Sequence, residues 1–536
     1  MPEWLKNAVF YEIYPQTFYD SNGDGIGDIR GIIEKLGYIK DLGCNALWLN
    51  PCFDSPFRDA GYDVRDYKKV APRYGSNEDL FRLFDEAHRR DMRVLLDLVP
   101  GHTSEEHPWF TESKKVTPND EFKNRYIWTD SWFFWGSEDL KFIAGEAERD
   151  GCYIINFFKC QPALNYGFLK RREKWQLPPE HPDCIATREA LKDIMRFWLS
   201  GDKGRGCDGF RVDMADSLVK FDDDKKSATS AIWRNIREML DSEFPQAALV
   251  SEWGSPFQSL KAGFHMDFLL DHPNSGYRSL VRDYEDGENN SHFKNENNSY
   301  FKKESNGGIE RFLNQYLPWY EATKNDGFIS MITGNHDTPR ISYGLDTREL
   351  ALAYAFIFTV PGVPFLYYGD EIGMRYIYSM PTKEGGYSRT GSRTPMQWRS
   401  GGNMGFSSAP PEKLYLPVDA DTAAPNVAEQ EKDPSSLLNT VKSLLRLRNS
   451  EEDLCAKPNL EILHAGKGCD SESDSSDRSF IYRRGAFIIA VNPGANTVQI
   501  PVAVNKTPQA VYTIGNCSLE NGFCKLEPQS FAVWRA

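Results

Sequence analysis

SNEDLFRLFDEAHRRDMRVLLDLV, residues 76–99, lays out in one stretch the unit from which the fold is built. Ser76 is a residue type that caps helices, and Leu80, Phe81, Phe84 and Ala87 recur at helical spacing, which predicts a helix over 77–90. The apolar run that follows, 93–99, reads as a strand. Further short apolar runs lie at 8–14, 45–50, 208–212, 248–252, 266–270, 328–333 and 364–368. Most are followed by helical pattern; 187–199 and 435–447 read as helices in the same way. Eight strands alternating with helices predict an α/β chain folded as a (β/α)8 TIM barrel.

Two stretches break the rhythm. Residues 100–167, after the third strand, are irregular and rich in Trp, Phe and Asp, and read as a domain inserted into a barrel loop. Residues 373–431, after the eighth, are rich in Gly, Ser and Pro, and loops of that length are usually functional. From 456 onward, short β patterns at 480–482, 487–491, 511–514 and 530–534 predict a C-terminal antiparallel β-sandwich domain. The expected organisation is a barrel over 1–99 and 168–455, an inserted domain over 100–167 and a β domain over 456–536. The acidic, serine-rich run 470–477 reads as a solvated loop.

The 536 residues suit two or three domains. A net charge of −14 argues against nucleic acid or an anionic membrane as the main partner and suits a neutral substrate. Aromatics make up 13% of the chain, a content that serves sugar stacking and large cores alike. The first residues, MPEWLKNAVFYEIYP, show no basic segment followed by an apolar one, so the chain reads as cytoplasmic. The most apolar stretch, 351–368, is interrupted by Pro361, Gly362 and Pro364, and reads as a buried helix and strand rather than a membrane span. Ten Cys lack zinc-type spacing and read as a reduced set.

The chemistry sits where the strands end. The third runs into DLVPGH (Asp97, His102), the fourth into GFRVD (Arg211, Asp213), the fifth into SE (Glu252) and the seventh into GNHD (His336, Asp337). Barrel enzymes place their catalytic groups at these ends. A lone acid there is more often a salt bridge or a cap, but four such ends put several carboxylates, two His and an Arg at one mouth. Paired carboxylates are the machinery of glycoside hydrolysis, and a separation of ~5–5.5 Å permits a covalent intermediate with retention. Arg211 and Asp213 are two apart on a strand and face the same side. That motivates Asp213 as the ionised nucleophile and Glu252, beside Trp253, as the proton donor.

These residues resemble the α-amylase family of glycoside hydrolases over essentially the whole chain. GFRVD, SEWG, GNHD and DLVPGH look like the family's signature segments, supported by AGYDV (60–64) and GSRTPMQW (391–398). The last, with QPALN (161–165), is similar to the branch of oligo-1,6-glucosidases, α-glucosidases, trehalose synthases and sucrose isomerases. The resemblance implies that Asp337 is a third catalytic carboxylate and that His102, His336 and Arg211 serve the sugar subsite. It implies that Asp63 and Arg393 close that subsite at the non-reducing end, favouring exo-action, and that Tyr62 is a stacking platform; for Tyr62 alone, core packing reads equally well. Asp97 reads as structural support.

The implied activity is a retaining α-glucosidase that cleaves non-reducing-end bonds of short α-glucosides, α-1,4 maltooligosaccharides first, with transglycosylation. The alternatives are an intermediate α-amylase or a glucoside isomerase such as trehalose synthase. More remote is a non-catalytic transporter-associated relative, which would lack the acids and carry a membrane helix. The partner is a small oligosaccharide; the oligomeric state is not legible.

Asp20, Asn22, Asp24, the Ile26 carbonyl and Asp28 alternate along a loop with Gly23 and Gly25, the spacing of oxygen ligands to a hard cation. The same residues can also make a series of Asx turns without metal. The branch resemblance favours one structural Ca2+, or Mg2+, there. Three positions depart from the family's pattern for a second calcium beside the active site: Gly101, Ala163 and Asp216. Met214 matches neither the Val that accompanies α-1,6 action in the branch nor the small residues or Thr of α-1,4 action, and SEWG differs from the usual segment around the acid/base.

Overall fold

The computed structural model describes residues 1–133, 140–272, 275–282, 299–468, 477–504 and 508–536, with the backbone of 284–285 and 294–295. Eight parallel strands form one sheet: β1 Phe10–Ile13, β2 Ala46–Leu49, β3 Arg93–Leu98, β4 Gly209–Val212, β5 Ala248–Ser251, β6 Met266–Phe268, β7 Phe328–Ser330 and β8 Phe365–Tyr367. Each pairs with its neighbour in chain order, and β8 pairs with β1. The sheet closes through a parallel bridge from Ile332, just past β7, to Phe365. This is the expected barrel, and every strand falls within a predicted run.

Local chemistry explains the elements. Helix α1, Asn77–His88, starts with a reciprocal capping box between Ser76 and Asp79. Helix α2, Pro182–Ser200, begins five residues before the predicted start, because Pro182 suits a first helical turn and the His181 ring accepts from the Asp183 N–H. Helix α3, Thr347–Thr359, and β8 take up the most apolar stretch; among the described residues no helix is long and apolar enough to cross a membrane. Gly209 opens β4 at φ 139°, where a Cβ would lie 1.9 Å from the Ala248 carbonyl oxygen, so only glycine lets β4 and β5 approach this closely.

Aromatic rings fill the barrel. Phe10 stacks on Phe365 at 4.2 Å, Trp48 on Phe268 at 5.3 Å, and Phe268 meets Phe365 edge-on at 4.8 Å. Above this floor the interior turns polar, with Glu12 on β1, Asp97 on β3 and Arg211 on β4 all buried. A packed apolar floor under a polar mouth confines chemistry to the end where the strands run out.

Among the described residues of 100–167 are a short helix, Pro108–Ser113, and a hairpin of Lys141–Ala144 with Cys152–Ile155. Antiparallel bridges such as His102 to Ala163 and Tyr126 to Leu164 hold this excursion together. The loop after β8 is built from 3-10 turns, including Tyr387–Ser392, and lies across the same mouth. The C-terminal region forms a five-stranded and a three-stranded antiparallel sheet enclosing Ile481, Ile488, Leu519, Leu526 and Trp534. Its strands Phe480–Arg484, Phe487–Asn492, Gln509–Ile514 and Ser530–Arg535 contain the four predicted patterns. Arg484 and Tyr482 fasten it to Thr359 at the end of α3. The predicted loop 470–477 lies outside the described residues except for Asp477.

Candidate active site

The hydrogen-bond ladder of the barrel runs one residue past β4 and β5. Asp213 donates its N–H to Leu98 at 2.9 Å, Glu252 donates to Val212 at 3.0 Å, and the Glu252 carbonyl accepts from Ala215. Both acids therefore stand on rigid backbone. They line a cavity of about 340 Å³ together with Tyr62, His102 and Asp337.

Arg211 organises the acids. Its Nη1 donates to Asp97 Oδ1 at 2.7 Å and to Asp213 Oδ1 at 3.0 Å, and its Nη2 lies 2.9 Å from Glu252 Oε2. The expectation placed this guanidinium on the nucleophile; the structure sets it on both acids, with the Met214 N–H adding a bond to Glu252 Oε2 at 3.0 Å. Burial and the charge of Glu252 push the Asp213 carboxyl up, and Arg211 pulls it back. One cation thus offsets a like-charged pair out of water. Asp97, raised to about 6 by burial against the pull of Arg211, also accepts from Trp48 and Tyr62, so it supports the arrangement from below as expected.

The third acid is fixed from the opposite wall. Asp337 Oδ1 accepts from Arg389 Nη1 at 2.9 Å and from Arg393 Nη2 at 2.8 Å. Burial would raise this carboxyl, but His336, Arg389, Arg393 and Arg211 hold it well below the usual range. Burial and the neighbouring arginines in turn hold the His336 ring well below its ordinary value. The His336 ring bonds Glu12 through Nδ1 at 2.8 Å and the Tyr62 hydroxyl through Nε2 at 2.7 Å.

Tyr62 lines the cavity, and its ring stacks on His336 at 5.6 Å. His102 Nε2 meets the Tyr62 carbonyl at 3.1 Å, and burial lowers the ring to about 4, so it is neutral at pH 7.

The structure corrects the wall opposite the acids. Asp63 was expected to face the sugar, but its Oδ1 takes the Ser55 hydroxyl and the Asp59 N–H, and its Oδ2 takes the Arg58 N–H. It braces its own loop, and Asp59 faces the cavity instead, held by Gln161 at 2.7 Å. Arg393 is likewise behind the wall, bonded to the His336 carbonyl and Asp337, while Arg389 lines the cavity and reaches Asp59 Oδ1 at 3.5 Å. Arg211 and His336 also act from behind. Sequence reasoning missed Asp59 and Arg389, although each lies four residues before the partner it named. Phe157, Met214, Asp216, Trp253, Leu270 and His272 complete the lining.

Behind His102, the space beside Gly101 holds the Asn156 side chain, which donates to the Gly101 carbonyl at 2.8 Å. Lys220 Nζ, in turn, donates to Asn156 Oδ1 at 2.9 Å and the Ser217 carbonyl at 3.0 Å. Burial lowers this ammonium to about 8. A protein cation thus occupies the region of Gly101, and Asp216 pairs with Lys226 at 3.2 Å.

The Asp20–Asp28 loop has its oxygens in order but not gathered. Asp20 accepts from the N–H groups of Asn22, Gly23 and Gly25 and from Ser407 Oγ. Asn22 and Asp24 each accept from the N–H two residues on, and Asp28 takes Ser21 and caps a helix through Gly31. Among the described residues no three acidic, His or Cys side chains converge as metal ligands. This geometry is a run of Asx turns.

Residues 12–457 match the family described as alpha amylase, catalytic domain. The chain is 33% identical over 499 residues to the trehalose synthase/amylase TreS of Mycobacterium tuberculosis, covering 83% of this chain and 75% of that one. It is 32% identical over 531 residues to the glucan 1,6-alpha-glucosidase of Streptococcus pneumoniae, covering 90% and 89%. An oligo-1,6-glucosidase of Heyndrickxia coagulans is 32% identical over 512 residues, covering 84% and 86%. Among solved structures, the trehalulose synthase MutB of Pseudomonas mesoacidophila superposes with a TM-score of 0.77 over 100% of both chains at 22% identity, a likeness of fold.

Proposed function

The chain belongs to the α-amylase family of glycoside hydrolases, and we propose that it is a retaining α-glucosidase acting on the non-reducing ends of short α-glucosides, α-1,4 maltooligosaccharides first. The observation that carries this reading is the pair Asp213 and Glu252, bridged by one guanidinium, facing the Asp59–Arg389–Asp337 wall across one cavity. In the first step Glu252 gives its proton to the glycosidic oxygen while Asp213 attacks the anomeric carbon, forming a glycosyl ester and releasing the aglycone. In the second, Glu252 takes a proton from water, which attacks the same carbon and frees Asp213. A sugar hydroxyl in place of that water gives transglycosylation. Asp337, ionised by its two arginines, accepts hydroxyls of the bound ring, and Asp59 with Arg389 closes the subsite beyond it, which favours exo-action.

A second reading, glucoside isomerisation, is favoured by the similarity to trehalose synthase/amylase TreS. A time course of products on maltose, a longer maltooligosaccharide, isomaltose, trehalose and sucrose tests both. Glucose released from chain ends supports the first reading; trehalose from maltose supports the second; mixed oligomers from internal cleavage contradict both. The proposal includes one structural Ca2+, or Mg2+, held by Asp20, Asn22, Asp24, the Ile26 carbonyl and Asp28. It is supported by the order of those donors alone. A cytoplasmic setting is supported by the nine described cysteines, all free thiols.

A further inference from the structure

Asp267 lies in the middle of β6, fully buried, in register with Ser251 on β5. Neighbours on this strand pack apolar rings: Phe268 is in the barrel floor against Trp48 and Phe365. Asp267 alternates with it and points to the outer side, toward the turn that follows β5. There its Oδ1 accepts from Ser251 Oγ at 2.7 Å and from the Trp253 N–H at 3.3 Å. These are the residues immediately before and after Glu252. The hydroxyl of Ser259, on the short helix Pro256–Ser259, and the Gly254 N–H also favour its ionised form, though burial outweighs them and raises the carboxyl to about 7. Its other oxygen is buried without a hydrogen-bond partner.

A buried carboxylate with neutral partners costs stability that an apolar residue would not. What it does structurally is hold the Ser251 side chain and the Trp253 backbone, one on each side of one functional side chain. Trp253 lines the cavity, and its indole is fixed by Gln258 at 3.0 Å. We propose that Asp267 is a positioning residue that sets the direction of Glu252 for proton transfer to the leaving group. The proposal rests on the reading of Glu252 as general acid. Asp267 touches neither cavity nor substrate, so it acts only through the β5 turn.

The test uses leaving-group dependence. Cleaving a disaccharide needs a proton on the departing oxygen, whereas 4-nitrophenyl α-glucoside departs as a stable phenolate and needs little. The value of kcat/KM reports the glycosylation half alone, so it isolates that proton transfer. Asp267→Val should lower kcat/KM on maltose by on the order of 10-fold or more relative to its effect on the nitrophenyl glucoside, a fraction of the ~10²–10⁴-fold that general acid catalysis supplies. Asp267→Asn, which keeps an accepting oxygen, should restore most of that ratio. Should Asp267→Val not fold, Ser251→Ala removes the hydroxyl orienting the same oxygen and should shift the ratio in the same direction. Equal losses on both substrates, in whichever of these variants folds, overturn the positioning role. Glu252→Gln is the reference: if it shows the split and the Asp267 and Ser251 variants do not, only this proposal falls. If Glu252→Gln loses both substrates equally, the general-acid reading falls and takes the proposal with it.

Discussion

Exchanging the acids four residues apart, Asp59 and Asp63, for asparagine should separate a substrate contact from a loop brace. Asp59 lines the cavity with one oxygen on Gln161 and the other 3.5 Å from Arg389. Hydrogen bonds to a charged group contribute ~1.5–3 kcal/mol, so Asp59→Asn should lower kcat/KM by ~10- to 150-fold. Its stability should hold or rise at pH 7. Burial raises the Asp59 carboxyl to about 6, Arg389 and Gln161 opposing, against an unfolded value near ~4. A group raised in the fold favours the fold when protonated, and that contribution is lost as pH climbs from about 4 to about 6; an uncharged amide escapes the loss. The same titration should weaken wild-type kcat/KM as pH falls through about 6, and the variant should lose that share of the profile. Asp63→Asn should do the reverse. Both Asp63 oxygens accept, and an amide nitrogen at either position would face a donor, the Arg58 N–H or the Asp59 N–H. That costs ~1–3 kcal/mol of stability, read as a lower denaturant midpoint, with kcat/KM falling less than ~10-fold. Steady-state kinetics with urea unfolding of both variants decides it. A stable but inactive Asp63→Asn beside an active Asp59→Asn would refute the assignment of the wall.

Asp213→Asn and Glu252→Gln should both fold, shown by unchanged circular dichroism, and lose several orders of magnitude in turnover, since acid catalysis alone gives ~10²–10⁴-fold. Near wild-type turnover in Asp213→Asn would remove it as nucleophile. Azide should restore cleavage of an activated glucoside by Asp213→Ala or Glu252→Ala. Proton NMR of the first sugar released should show the α-anomer, and a β-anomer first would mean inversion. Extensively desalted protein should contain at most one Ca2+ or Mg2+ per chain; chelator should lower the unfolding temperature and leave turnover at moderate temperature intact. Two tightly held calcium ions, or turnover lost while the fold persists, would contradict the single-cation proposal.

The sequence by itself determined the barrel and the acids at its mouth. Strands and helices announce themselves by the spacing of apolar residues, a local property, and a residue directly after a strand inherits that strand's direction. Asp97, Arg211, Asp213 and Glu252 were therefore placed by register alone, because the ladder that holds Asp213 and Glu252 extends from β4 and β5. Among the strands of the C-terminal region missed in the sequence, Val498–Pro501 and Phe523–Leu526 are four residues long and expose alternate positions, so little apolar signal marks them. Off the strands, periodicity stops carrying direction. Between Asp59 and Asp63 the chain takes φ 52° at Ala60 and 103° at Gly61, where a Cβ on Gly61 would press on Pro51. That backbone turns Asp59 toward the cavity and Asp63 into its own loop. The choice between Arg389 and Arg393 lies in the same way with a 3-10 turn at Tyr387–Ser392, packed across the mouth from far along the chain. The sharing of Arg211 between Asp213 and Glu252 depends on two strands meeting at one depth in a closed barrel. Local sequence fixes which side of a strand a residue faces; only long-range packing fixes where a loop residue points and which charges share one cation.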